Sequence, residues 1–154
     1  MLKPEEILRW LERLRVDSGM VICLKTLEFL RHGRRIGAAK SLIGGLLGLP
    51  PTIADKDGNI VPVANARSDT GAYEWAVALV KSKIGQGEPV RLGLVEMGTS
   101  GADGALNRLE NELRQSFDVV ELIRAPATDV IGVHAGPGAW GSSISALETT
   151  DPLA

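Results

Sequence analysis

The sequence predicts an α/β fold: a two-layer sandwich in which helices cover a mixed, largely antiparallel sheet. Three observations carry this. Lys56-Asp57-Gly58-Asn59 separates Thr52-Ile53-Ala54 from Ile60-Val61-Pro62-Val63. Asp-Gly supplies the positive φ values of a two-residue hairpin turn, so at least one strand pair is antiparallel. Val90, Leu92 and Leu94 alternate with Arg91, Gly93 and Val95, the period of a half-buried strand. Beyond them, Leu106, Leu109 and Leu113 recur at helical spacing, and 118–124 again reads as a strand. After an opening helix the order is β-α-α-β-β-α-β-α-β-β, and helices packed on a sheet bury its apolar residues.

Each element has its own local reason. Over 4–15, Pro4 suits a first helical turn, Glu5 and Glu6 favour the positive end of the dipole, and Ile7, Leu8, Leu11 and Leu14 share a face. Residues 20–24 are a short buried strand. Residues 25–31 are a short helix with Leu27 and Leu30 inward, stopped at Gly33. An apolar helix follows over about 38–47, and the apolar side of 36–47 is expected at an oligomer contact or partly exposed. The hairpin pairs 51–56 with 59–66, and Pro50, Pro51 and Pro62 put it partly at an edge. Ser68 is the candidate N-cap of a helix over 68–83, with Tyr73 and Val77 on one side. A strand over 89–97 leads to a helix over 101–115, where Ser100 and Asp103 resemble a capping box. Val130-Ile131-Gly132-Val133 reads as a strand, then comes the loop Gly136-Pro137-Gly138 and a last strand near 140–145. The polar tail 147–154 is expected to fray.

Composition narrows the function. Apolar residues are 44% and charged residues 23% of 154, the balance of a single globular domain. Seventeen Lys and Arg against nineteen Asp and Glu leave a net charge of −2, which gives nucleic acid no bulk basic face. Cys23 is the only cysteine, in an apolar run, so disulfides and cysteine metal clusters are excluded and a buried thiol is expected. No stretch approaches the ~20 apolar residues of a membrane span, and no signal-peptide pattern opens the chain, so a cytoplasmic setting is expected.

Several motifs dissolve on inspection. Gly33 to Ser41 misses a phosphate loop because Ala38 and Ala39 separate Gly37 from Lys40. Arg34 and Arg35 stand before an expected helix, where positive charge opposes the dipole unless an anion sits between them. Asp55, Asp57 and Asn59 belong to the hairpin rather than to a calcium loop. His32 and His134 form no metal-binding pair, so no metal is expected. His134 opens the glycine-rich loop and has two readings, a structural histidine or one that contacts a ligand. No serine elbow accompanies it, so a small hydrolase with His134 as general base lacks a nucleophile.

Three blocks resemble one family. Leu27-Glu28-Phe29-Leu30-Arg31-His32-Gly33-Arg34-Arg35-Ile36-Gly37 resembles the Gly-Gly-Arg-Ile block of DegV-type fatty-acid-binding proteins. Leu46 to Ile53, with Asp57-Gly58 and Asn65-Ala66-Arg67, is similar to the stretch that follows it there. Ile131-Gly132-Val133-His134-Ala135-Gly136-Pro137-Gly138-Ala139 resembles the family's near-C-terminal signature. Arg34 replaces the second glycine of the first block and Pro50 the usual lysine. The resemblance covers about 5–143 and implies the C-terminal lobe only, with residues 1–18 similar to the inter-lobe helix, 19–146 as the lobe and no counterpart of the N-terminal lobe.

What the resemblance implies is a carrier rather than an enzyme. Its ligand is a long-chain fatty acid held between two lobes, without a cofactor, and its acyl carboxylate is presented to a fatty acid kinase. Carried over by motif, His134 meets the carboxylate, Arg35 joins the polar network around it, and Gly136 and Gly138 form the loop beside it. Ile36, Leu42, Ile43 and Leu46 line the acyl groove, and Arg67 faces the kinase. The alternative is a truncated homologue or split-gene product, an interaction module that pairs with a separate N-terminal-lobe chain or with itself.

Overall fold

The structure, a computed structural model, describes residues 3–37, 39, 51–63, 69–83, 89–98 and 102–146. The elements run α1 (Pro4–Asp17), β1 (Ser18–Cys23), α2 (Glu28–His32), β2 (Thr52–Lys56), β3 (Asn59–Pro62), α3 (Asp69–Lys83), β4 (Pro89–Glu96), α4 (Ala102–Ser116), β5 (Asp118–Pro126), α5 (Asp129–Ala135) and β6 (Trp140–Ala146). One six-stranded sheet has the order β3-β2-β1-β6-β4-β5. It is mixed, as expected: β4 and β5 are parallel across the α4 crossover, and the other four pairs are antiparallel.

The hairpin forms as expected, with β2 on β3 and β3 at the edge. Asp57 and Gly58 both take positive φ, 54° and 78°, the conformation that Asp-Gly supplies cheaply. The expected helix over 38–47 lies outside the described residues apart from Ala39. So do the caps at Ser68 and Ser100 and the tail 147–154.

Strand alternation sorts the core onto two sheet faces. On one, Val21, Cys23, Ala54, Val90, Leu92, Leu94, Trp140 and Ile144 pack against α3 and α4, whose Val77, Leu106, Leu109 and Leu113 are all buried. On the other, Ile22, Ile53 and Ile60 meet a smaller cluster built from Leu24, Leu30, Ile36, Ala39, Met97, Ala135 and Ala139. Ile36 and Ala39, at the start of the segment expected to stay partly open, are therefore core residues.

One expected strand is a helix. Val130 to Val133 lie in α5, with Val130, Ile131 and Val133 exposed rather than buried in a sheet. The β4–β5 ladder ends at Glu96 and Pro126, and the Ala127 N–H makes one further bond to the Glu96 carbonyl at 2.8 Å. Beyond that bond the chain leaves the sheet and its backbone satisfies itself locally: the Ile131 and Gly132 amides donate to the Thr128 carbonyl at 3.0 Å. Thr128 and Asp129 are an ordinary helix start, and that signal outranks the β-branched run.

Candidate functional site

The first block ends α2 in a defined way. The Arg34 amide donates to the Arg31 carbonyl at 3.1 Å and the Arg35 amide to the Leu30 carbonyl at 2.9 Å. These are the two bonds of a Schellman motif, which needs a left-handed residue between them. That residue is Arg34, with φ +55°, so the position where the resembled family carries glycine is the one whose backbone favours glycine. Arg34 and Arg35 are exposed and follow the carboxyl end of α2, where positive charge is favourable. The charge conflict expected from placing them before a helix is absent at α2.

The third block is α5 and the loop after it. His134 is the last basic residue of α5, and Gly136 caps the helix with φ +80° while its amide donates to the Gly132 carbonyl at 2.8 Å. Gly138 also takes positive φ, and its amide donates to the Met97 carbonyl at 2.6 Å, tying the loop to the end of β4.

The two blocks meet. The His134 ring lies over Gly33, so closely that a β-carbon there would fall 2.8 Å from Cε1 and nearer still to Nδ1. Arg35 follows two residues later, next to buried Ile36. The His134 Nδ1 is buried without a hydrogen-bond partner, while the residue as a whole is partly exposed. His32 is exposed at the end of α2. Leu42, Ile43, Leu46 and Arg67 lie outside the described residues.

Two features escaped the sequence reading. The apolar side chains of α5 form a bare surface beside His134, with Val130 74% and Val133 63% exposed. A recess of about 220 Å³ also opens at the carboxyl ends of the parallel strands, between Met97-Gly98 and Thr128-Asp129. Neither His134 nor Arg35 lines it. Among the described residues no group of His, Cys, Asp and Glu could hold a metal, and no helix is long and apolar enough to cross a membrane.

Comparisons with known proteins place this fold in one family. The family model for DegV, a family described as uncharacterised, matches residues 2–147. A DegV domain-containing protein of Deinococcus radiodurans is 35% identical over 141 residues, 89% of this chain and 47% of the relative. A protein of Thermotoga maritima named a fatty acid-binding protein is 28% identical over 94% of this chain and 50% of its own length. Among solved structures, a DegV family protein from Thermus thermophilus described for its fatty acid binding superposes with a TM-score of 0.83 at 31% identity. That match covers 95% of this chain and 51% of the other. The chain belongs to the DegV family. It spans about half the length of the curated relatives it matches.

Proposed function

We propose that this chain is the C-terminal half of a DegV-type fatty-acid carrier, with His134 and Arg35 meeting the acyl carboxylate. The observation that carries the reading is the meeting of the two blocks at Gly33 and His134, which buries one imidazole nitrogen while the residue stays partly exposed. An imidazole and a guanidinium are charge-assisted donors suited to a carboxylate. Gly136 and Gly138 form the loop beside them, with the Phe29 ring seated on Gly136 and the Lys25 side chain on Gly138. The bare apolar surface of α5 is of the kind an acyl chain covers, at roughly 0.8 kcal/mol per buried methylene. Ile36, Leu42, Ile43 and Leu46 are proposed as the groove. Presentation to a fatty acid kinase, with Arg67 on the face offered to it, completes the proposal. The chain is a carrier that leaves the phosphorylation to that partner.

Lipid extraction of the purified chain followed by mass spectrometry tests the reading, together with an oleate titration. Long-chain fatty acid is expected in the extract. His134→Ala should weaken oleate binding by about 1.5–3 kcal/mol, the range for a hydrogen bond to a charged group, and His32→Ala should leave it unchanged. An empty extract with no oleate binding rejects the reading for this chain alone. It favours the second one, an interaction module that binds a separate N-terminal-lobe chain. The exposed Leu8 and Leu11 of α1 and Val130 of α5 support that alternative.

A further inference from the structure

We propose that α2 and α5 form a reciprocal clasp that holds His134 in one tautomer, with its proton on Nε2, before any ligand arrives. Its geometry stands alone; its use rests on the carboxylate reading above. Each helix seats an aromatic ring on a glycine at the end of the other. The His134 imidazole lies on Gly33, and the Phe29 ring lies on Gly136, where a β-carbon would fall 2.6 Å from Cε2 and nearer still to Cδ2. Neither glycine can carry a side chain while the facing ring keeps its seat. Both glycines are also fixed by their own backbones. The Gly33 amide donates to the Phe29 carbonyl at 2.9 Å, and the Gly136 amide to the Gly132 carbonyl at 2.8 Å.

The clasp decides which imidazole nitrogen carries the proton. A neutral imidazole has one N–H and one lone pair. His134 Nδ1 is buried without a partner. A proton there would be an orphaned donor, and buried orphan N–H groups are rarer in proteins than under-satisfied acceptors. A proton on Nε2 leaves the buried Nδ1 as the lone-pair side and puts the donor on the other nitrogen of this partly exposed residue, where a carboxylate oxygen accepts it. Gly33 and Phe29 are positioning residues: Gly33 bears on the ring, and Phe29 holds the loop that follows it.

Long-range proton–nitrogen correlation spectra of the full chain without lipid, at alkaline pH where imidazole is neutral, read the tautomer directly. The Nε2–H pattern is expected for His134. Gly33→Ala should give a mixture of both tautomers and weaken oleate binding by about tenfold, the loss of one hydrogen bond to a charged group. If Gly33→Ala does not fold, Phe29→Ala takes its place: the appearance of both His134 tautomers supports the clasp, and unchanged His134 signals overturn it. A dominant Nδ1–H pattern overturns the clasp, as does a folded Gly33→Ala with unchanged His134 signals. The expected tautomer in a chain that binds no oleate supports the clasp and rejects the carboxylate reading.

Discussion

Helices α4 and α1 are nearly the same length and equally amphipathic, yet they end in opposite situations. α4 buries Leu106, Leu109 and Leu113 to 1% exposure or less, while α1 buries nothing and leaves Leu8 61% and Leu11 49% exposed. The difference lies in what stands opposite. α4 packs on α3 and β5, while α1 lies along β1 and β6 with its Arg15 3.8 Å from Asp57 of the hairpin turn. α5 is bare on one side only: Val130 and Val133 are exposed, while Ala135 is buried where the helix meets α2. An apolar stripe declares a surface that needs cover and says nothing of which chain supplies it. Fully burying one such side chain is worth roughly 1.5–3 kcal/mol, so two bare helix faces represent a substantial unspent driving force.

The largest expected effect tests this contrast directly. Leu109→Ala should lower stability to denaturant by about 2–5 kcal/mol, the range for a leucine truncated in a closed core. Leu8→Ala on α1 should stay within about 0.5 kcal/mol, as for a surface position. If the two substitutions cost the same, α1 is already covered in solution and the contrast fails. A Leu8→Ala cost that grows with protein concentration would identify the cover as a second copy.

Much of the covered region was legible in the sequence. The period-two run at Val90, Leu92 and Leu94, the helical spacing of Leu106, Leu109 and Leu113, and the Asp57-Gly58 turn each state their structure locally, and each is found as expected. The bare region was less legible, because its determinants are not local. Val130-Ile131-Gly132-Val133 has strand composition, but its amides close helical bonds back to Thr128, and Asp129 stands in the first turn, where negative charge is favourable. The blocks that carry His134 and Arg35 were legible as a resemblance. The contact of the His134 ring with Gly33 depends on how α2 and α5 meet, which no spacing within either block encodes.

Next in size are two glycines of α5 and its cap. Gly136→Ala should destabilise by about 1–3 kcal/mol, since φ is +80° and a methyl would strike the Phe29 ring. Gly132→Ala, with nothing within 4 Å of its β-carbon, should stabilise by about 0.5–1 kcal/mol through ordinary helix propensity. Thermal melts of the two variants should therefore move in opposite directions. Equal shifts would mean that the α2–α5 junction is looser than its geometry.

Smaller still is Arg34→Gly. Arg34 occupies the left-handed position of the Schellman motif at φ +55°, and glycine removes that strain while giving back part of the gain as unfolded-state entropy. A rise of about 0.5–1 kcal/mol in unfolding free energy is expected. A fall would show that the Arg34 side chain contributes more than its backbone costs.

The smallest effect concerns a flaw inside the well-covered region. Thr52, Cys23 and Trp140 form a row across β2, β1 and β6, each 1% exposed. The Thr52 Oγ1 is buried there without a hydrogen-bond partner. A hydroxyl taken from water and left unpaired costs free energy that no packing returns. Valine keeps the branched shape and strand preference and removes the orphan oxygen. Thr52→Val should therefore raise unfolding free energy by about 0.5 kcal/mol, less than a full orphan penalty because the shapes differ slightly. Denaturant melts at constant m-value would show the gain. A loss of stability would mean that the hydroxyl is satisfied in solution, by a bound water beside Cys23 and Trp140, and that this face is less dry than α4 makes it look.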